Sequence, residues 1–189
     1  MNTPCHLIMG AAAFGKPASR GVTWAALAGG VAPDVSLYVM GGVAMFILGI
    51  SPEVVFRDLY FSDAWQQVFA VDNSFILWGI GLAFGLFFRA PWAIALTGAA
   101  LLHLAFDFPL HAEDARAHFW PLTDWKFISP ISYWDSSAGG QIVGVAELAL
   151  VALMTGYLLW RFKSLGWRAL FLFLASLQIV PFFVWYLVF

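Results

Sequence analysis

The run AGGQIVGVAELALVALMTGYLLW, residues 138–160, carries one charged side chain, Glu147, in 23 residues. A helix of that length crosses the ~30 Å hydrocarbon layer of a bilayer. In hydrocarbon every backbone N–H and C=O must be satisfied within the chain, so only helices or a closed barrel can span, and a run this long specifies a helix. Residues 166–189, GWRALFLFLASLQIVPFFVWYLVF, form a second span of the same kind. The rest of the chain agrees: 62% of its 189 residues are hydrophobic and only 11% charged, with ten Trp and nineteen Phe, far from a soluble domain. Its few basic residues form no Lys/Arg run and the net charge is -2, which excludes a nucleic-acid-binding surface.

Three further runs, 35–50, 73–88 and 91–107, sit near the lower limit of a span, with Pro91 suited to a first helical turn. The pieces 3–15 and 21–33, separated by GKPASRG, predict a tight helical hairpin. Residues 53–71 carry Arg57, Asp58 and Asp63 among Val, Phe and Tyr, and fit either a helix lying at the interface or one returning across the membrane. If they return, the turns at 16–20, 51–52, 89–91 and 161–168 share one side. That side holds Lys16, Arg20, Arg89, Arg161, Lys163 and Arg168, against Arg116 and Lys126 on the other, which makes it cytoplasmic. The expected fold is therefore all-α: a single polytopic transmembrane helical bundle of about eight helical segments, with an aromatic-rich loop at 108–137. No linker, repeat or positively charged leader interrupts it, and the N-terminal segment is expected to be retained. The lone Cys5 forms no intrachain disulfide and reads as a small buried thiol.

Chemistry concentrates in LLHLAFDFPLHAED, where His103, Asp107 and His111 follow one another at i, i+4 steps, so a helix would present metal-ligand side chains on one face. Ionisable groups are costly in a membrane segment and mark functional sites. A hydrogen-bonded structural pair is the competing reading of His103 and Asp107. His6 opens the first short helix, and Asp34 follows Pro33 at a helix start, where capping and ligation are compatible. With 53–71 returning, His6, Asp34, Asp72, Asp107 and the 108–137 loop all meet at the outward end. His111, Asp114 and His118 would share a second face if that stretch were helical. Glu147, alone in its span, reads first as a hydrogen-bonding strut, and Gly140 with Gly144 as a close helix contact. Trp120, Trp125, Tyr133 and Trp134 read as an aromatic belt, or as a lid guiding an amphiphile's headgroup toward the acids. No GxxxxGK[ST] loop and no GxSxG elbow is present, which disfavours phosphate-cradle and serine-hydrolase chemistry.

His6 in TPCHLIMGAAAFG, GGVAPDVSLY around Asp34, the DNS at 72–74 and HLAFDFPLH at 103–111 together resemble the YdjM-like group, an inner-membrane family described as metal-dependent hydrolases. The likeness covers residues 3–111 in ordered blocks. It implies His6, Asp34, His103 and Asp107 as metal ligands and a bacterial inner-membrane location. The family's His-Ser pair at the start of the middle helix is here Asn73-Ser74, one histidine fewer. The leading expectation is a membrane-embedded hydrolase of an ester or phosphoester in an amphiphilic substrate. It would use a divalent ion, Zn first with Mn or Fe as alternatives, and Asp72 or His111 as general base. The rival expectation is a non-enzymatic membrane protein whose polar cluster holds a structural metal, binds protons or supports assembly.

Overall fold

A computed structural model describes residues 1–180, and all regular structure among them is helical. The helices are α1 (Thr3–Phe14), α2 (Arg20–Val31), α3 (Val35–Gly42), a short α4 (Pro52–Val54), α5 (Asp63–Asp72), α6 (Phe75–Phe87), α7 (Pro91–Asp107), α8 (Gly140–Arg161) and α9 (Leu165–Leu177). Four apolar helical runs, Arg20–Ile47, Asp63–Phe87, Pro91–Leu110 and Gly140–Arg161, are long enough to cross a bilayer, so the chain is a helical integral membrane protein. Among the described residues, helix is found in seven of the eight expected segments and in the first part of the eighth. That at 53–71 is interrupted: a wide turn of helix over Val55–Leu59 and a bend at 60–62 separate α4 from α5. Of the second expected span, α9 accounts for the first part, and residues 181–189 lie outside the described residues.

Local chemistry sets the boundaries. Ser19, Ser62 and Ser74 each accept a backbone N–H of the first turn at the starts of α2, α5 and α6, and Pro91 occupies the first turn of α7. Two of the long runs are broken at the same level. Pro33, which has no N–H to donate, sits in a 3₁₀ turn over Ala32–Asp34 between α2 and α3, and the chain opens at Asn73-Ser74 between α5 and α6. The Asn73 amide joins the two breaks, its Nδ2 donating to Pro33 O and to Phe69 O at 3.0 Å each. Carbonyls left over by an interrupted helix must find such partners in a membrane.

Helix α2 is the spine of the bundle, lying between α1 and α7. Its small face makes this close approach feasible. A Cβ on Gly29 would stand 2.0 Å from Leu96 O of α7, one on Gly30 2.6 Å from His6 O of α1, and Gly10 of α1 comes equally near Ala26 O. Helices α8 and α9 complete the packing on α1 through Leu158, Phe162, Trp167 and Phe171. Glu147 of α8 is the strut expected of it: Oε1 accepts from Asn2 N at 2.9 Å, and Oε2 from Asn2 Nδ2 at 2.7 Å and Gln178 Nε2 at 2.8 Å. Gly140 accommodates the carbonyl of Asp135, 2.8 Å from where a Cβ would be.

Three of the four turns expected on one side do meet, since Gly15, Lys16, Pro91 and Arg161 line one small cavity. The fourth, at 51–52, follows α3, which packs on α5 and the 32–34 turn rather than running back along α1, α2 or α7. The break at Pro33 redirects the chain there. The 108–137 segment is a packed cover rather than a floating belt: Ser129 N donates to His111 O, Tyr133 N to Leu110 O and Phe75 N to His118 O. Phe75, Phe108, His118 and Phe119 cluster beneath it, while Trp125 and Trp134 stay exposed.

Candidate metal centre

The two glycines of α2 determine how close α1 and α7 come, and that closeness creates the centre. His6, one turn into α1, and His103, one turn before the end of α7, are both fully buried, and their rings stack at 3.6 Å with planes 15° apart. Gly30 O accepts from His103 Nδ1 at 2.8 Å, so Nε2 is the nitrogen turned toward the acids. Asp107 lies one further turn along α7. Its Oδ1 stands 2.9 Å from His6 Nε2 and 2.5 Å from the Met1 nitrogen. Its Oδ2 is 3.3 Å from His103 Nε2 and 3.2 Å from His111 Nε2. Asp34, at the α2–α3 break, brings Oδ1 to 3.7 Å from His103 Nε2, and its Oδ2 accepts from Thr3 Oγ1 at 3.3 Å. The side chain of Asp34 does not cap α3, which frees it for the centre.

The separations match those of ligands around one ion. Metal–ligand bonds near 2 Å place two tetrahedral ligands roughly 3.3 Å apart, and the contacts from His6 and His103 to Asp107 and Asp34 span 2.9–3.7 Å. One ligand atom from each of His6, His103 and Asp107 falls within 4.8 Å of the others. The angles are not those of an ordinary hydrogen-bonded trio. Despite the short distances, His6 Nδ1 and Nε2 and His103 Nε2 make no aligned hydrogen bond. Buried nitrogens without a partner cost about 1–3 kcal/mol each, a cost that a shared cation would remove at the two Nε2 atoms, which are the ones facing Asp107. The donor set, two imidazoles with one or two carboxylates, suits Zn, Mn or Fe.

His111 follows the 3₁₀ turn after α7 and is gripped on both nitrogens, by Asp107 at Nε2 and by Asp114 Oδ2 at Nδ1, 2.6 Å away. Burial works against its charged form, but the two carboxylates outweigh this and hold its pKa above the ordinary imidazole value. Burial likewise disfavours the Asp114 carboxylate, yet the hydrogen bond from His111 holds its pKa below the ordinary value. Asp34, Asp107 and His111 open onto a cavity of about 1120 Å³, walled by Tyr38, Tyr60 and Trp134 and by the Gly140–Gly144 face of α8.

Four expected ligands, His6, Asp34, His103 and Asp107, thus converge, and His111 joins them. Asp72 does not. It is the last residue of α5, half-buried, and is engaged through its backbone carbonyl, which accepts from Trp78 Nε1. The chain break at Asn73 leaves its side chain off the cavity wall. The helical grouping of His111, Asp114 and His118 also dissolves, because Pro109 ends the helix and 111–118 runs irregularly. His118 turns away to Asn73 O at 2.8 Å, between Phe75 and Phe108, where burial lowers its pKa to about 4. Sequence reasoning counted Arg116 only as a charge on the outward side and passed over Tyr60. Both line the cavity, and no motif or periodicity announces either. Comparisons of the chain with family models, curated proteins and solved structures return no match.

Proposed function

We propose that the protein is a membrane-embedded, metal-dependent hydrolase acting on an ester or phosphoester of an amphiphile. The observation that carries this reading is the pair of buried, unpartnered Nε2 atoms of His6 and His103 facing Asp107 beside a large cavity. His6, His103 and Asp107 would hold a divalent ion, with Asp34 as the fourth protein ligand. The chemistry such an ion supplies is polarisation of a scissile ester or phosphoester and acidification of water. His111 is the group placed to move a proton, at Nε2, with Nδ1 anchored by Asp114 so that the ring keeps one orientation. The apolar and aromatic walls, Leu37, Phe56, Phe61 and Trp134, suit a hydrocarbon tail. The resemblance to the YdjM-like inner-membrane family agrees, and the excess of Lys and Arg near the 16–20, 89–91 and 161–168 turns favours an outward-facing site.

The test is hydrolysis in lipid nanodiscs. Protein stripped with a chelator and reloaded with Zn, Mn or Fe should release product from ester or phosphoester amphiphiles, and Asp107→Asn should not. Bound metal with no turnover of any substrate would instead leave a structural polar cluster.

A further inference from the structure

Arg116 stands on the irregular stretch after α7 with its side chain in the wall of the same cavity as Asp34, Asp107 and His111. It is 5% exposed, yet among the described residues its guanidinium makes no hydrogen bond and no ion pair. Asp114, two residues earlier, directs Oδ2 to His111, and its buried Oδ1 makes no hydrogen bond to the guanidinium. What Arg116 does touch is aromatic: its Cζ lies 4.2 Å from the centre of the Phe69 ring and 4.8 Å from that of Tyr60. Stacking on ring faces fixes the guanidinium plane and leaves its N–H edge unused. A buried cation with idle donors is strongly unfavourable unless an anion completes it.

We infer that Arg116 receives the phosphate group of an anionic amphiphile, so that the substrate class of the proposed hydrolase is a phosphate-bearing lipid. The inference rests on the hydrolase reading for its second half and on Arg116 alone for its first. Phosphate is favoured over carboxylate by oxygen count. The guanidinium fork takes two oxygens, and a phosphate monoester has a third left for the proposed metal centre, which reaches the same cavity through Asp34 and Asp107. The aromatic and aliphatic lining of the cavity, with Leu37, Phe56 and Phe61, suits the tail.

The experiment measures binding of dioctanoyl phosphatidic acid, dioctanoylglycerol and inorganic phosphate to the full chain in nanodiscs by calorimetry, with metal content determined on the same samples. Arg116→Met keeps the stem against Tyr60 and Phe69 but removes the charge, and Arg116→Lys keeps the charge but removes the fork. Phosphatidic acid should bind the wild type, lose roughly tenfold to a hundredfold in Arg116→Met, the loss expected for charge-assisted hydrogen bonds, and lose less in Arg116→Lys. Metal content should stay constant throughout. Inorganic phosphate binding as tightly as the lipid would identify free phosphate as the source, and markedly weaker binding would identify the headgroup; either upholds the role of Arg116. Equal affinity for dioctanoylglycerol, or an undiminished affinity in Arg116→Met, would overturn the inference. If Arg116→Met does not fold, Arg116→Lys and phosphate competition on the wild type decide. A metal-free protein that still binds phosphate through Arg116 would remove the hydrolase reading and leave the anion site standing.

Discussion

Substituting Gly30 by alanine tests whether helix packing sets the metal centre. The added Cβ would meet three backbone atoms of α1: His6 O at 2.6 Å, His6 C at 3.0 Å and Leu7 Cα at 3.1 Å. None belongs to a flexible side chain, so α1 itself must retreat. Reaching ordinary contact at 3.4 Å from 2.6 Å requires a shift of about 0.8 Å. Alanine gains about 0.8–1 kcal/mol over glycine in helix propensity, while overpacking costs about 1–3 kcal/mol, so a net loss of at most about 2 kcal/mol is expected in detergent thermal unfolding. The functional effect should be larger than this suggests. Ligand positions tolerate roughly 0.2 Å, and the displaced residue is His6. Metal affinity should fall roughly tenfold to a hundredfold, as for lost outer-sphere support. Gly79→Ala in α6, where a Cβ meets nothing within 4 Å, is the control and should bind metal like the wild type. Wild-type metal affinity in Gly30→Ala would refute the reasoning.

Glu147→Ala strands Asn2 and Gln178 donors in the bilayer and should cost about 1–3 kcal/mol for each unpaired group, with Glu147→Gln milder; thermal unfolding in detergent measures both. His118 is held neutral in the packed loop with a pKa near 4 against an ordinary 6.5. A detached loop therefore takes up a proton that the packed loop refuses as pH falls from 6.5 toward 4, which weakens packing by up to ~3 kcal/mol across that window. Hydrogen exchange of the 111–130 amides, corrected for intrinsic rates, should show the loop loosening at pH 5 relative to pH 7, and the difference should vanish in His118→Gln. A cysteine at Ser164 should be labelled only from the cytoplasmic side, and the buried native Cys5 will not compete.

How much of this was legible depends on the range over which each feature is encoded. Helix-forming runs and the i, i+4 step from His103 to Asp107 are local, and both are found where the sequence places them. The meeting of His6 and Asp34 with that pair follows from alternating direction along the chain, which short turns enforce. Asp72 failed because direction alone does not aim a side chain: one residue before a break, its orientation is decided by the break. The grouping of His111, Asp114 and His118 depends on a helix after the break at Pro109, and that stretch is irregular, so His118 lies apart. The glycine contacts of α2 were visible as composition but not as geometry, since GG reads equally as flexibility or as close packing. Arg116 and Tyr60 are joined to the cavity only through an irregular loop folded back over α5, and no local pattern encodes such a contact.

The most direct test of the central claim is metal analysis of the purified protein, with X-ray absorption to identify the ligands. One divalent ion per chain with two imidazole ligands is expected, lost in His103→Ala and in His6→Ala and retained in His118→Ala. Protein purified without metal, or metal content unchanged in the His6→Ala/His103→Ala double variant, would contradict it.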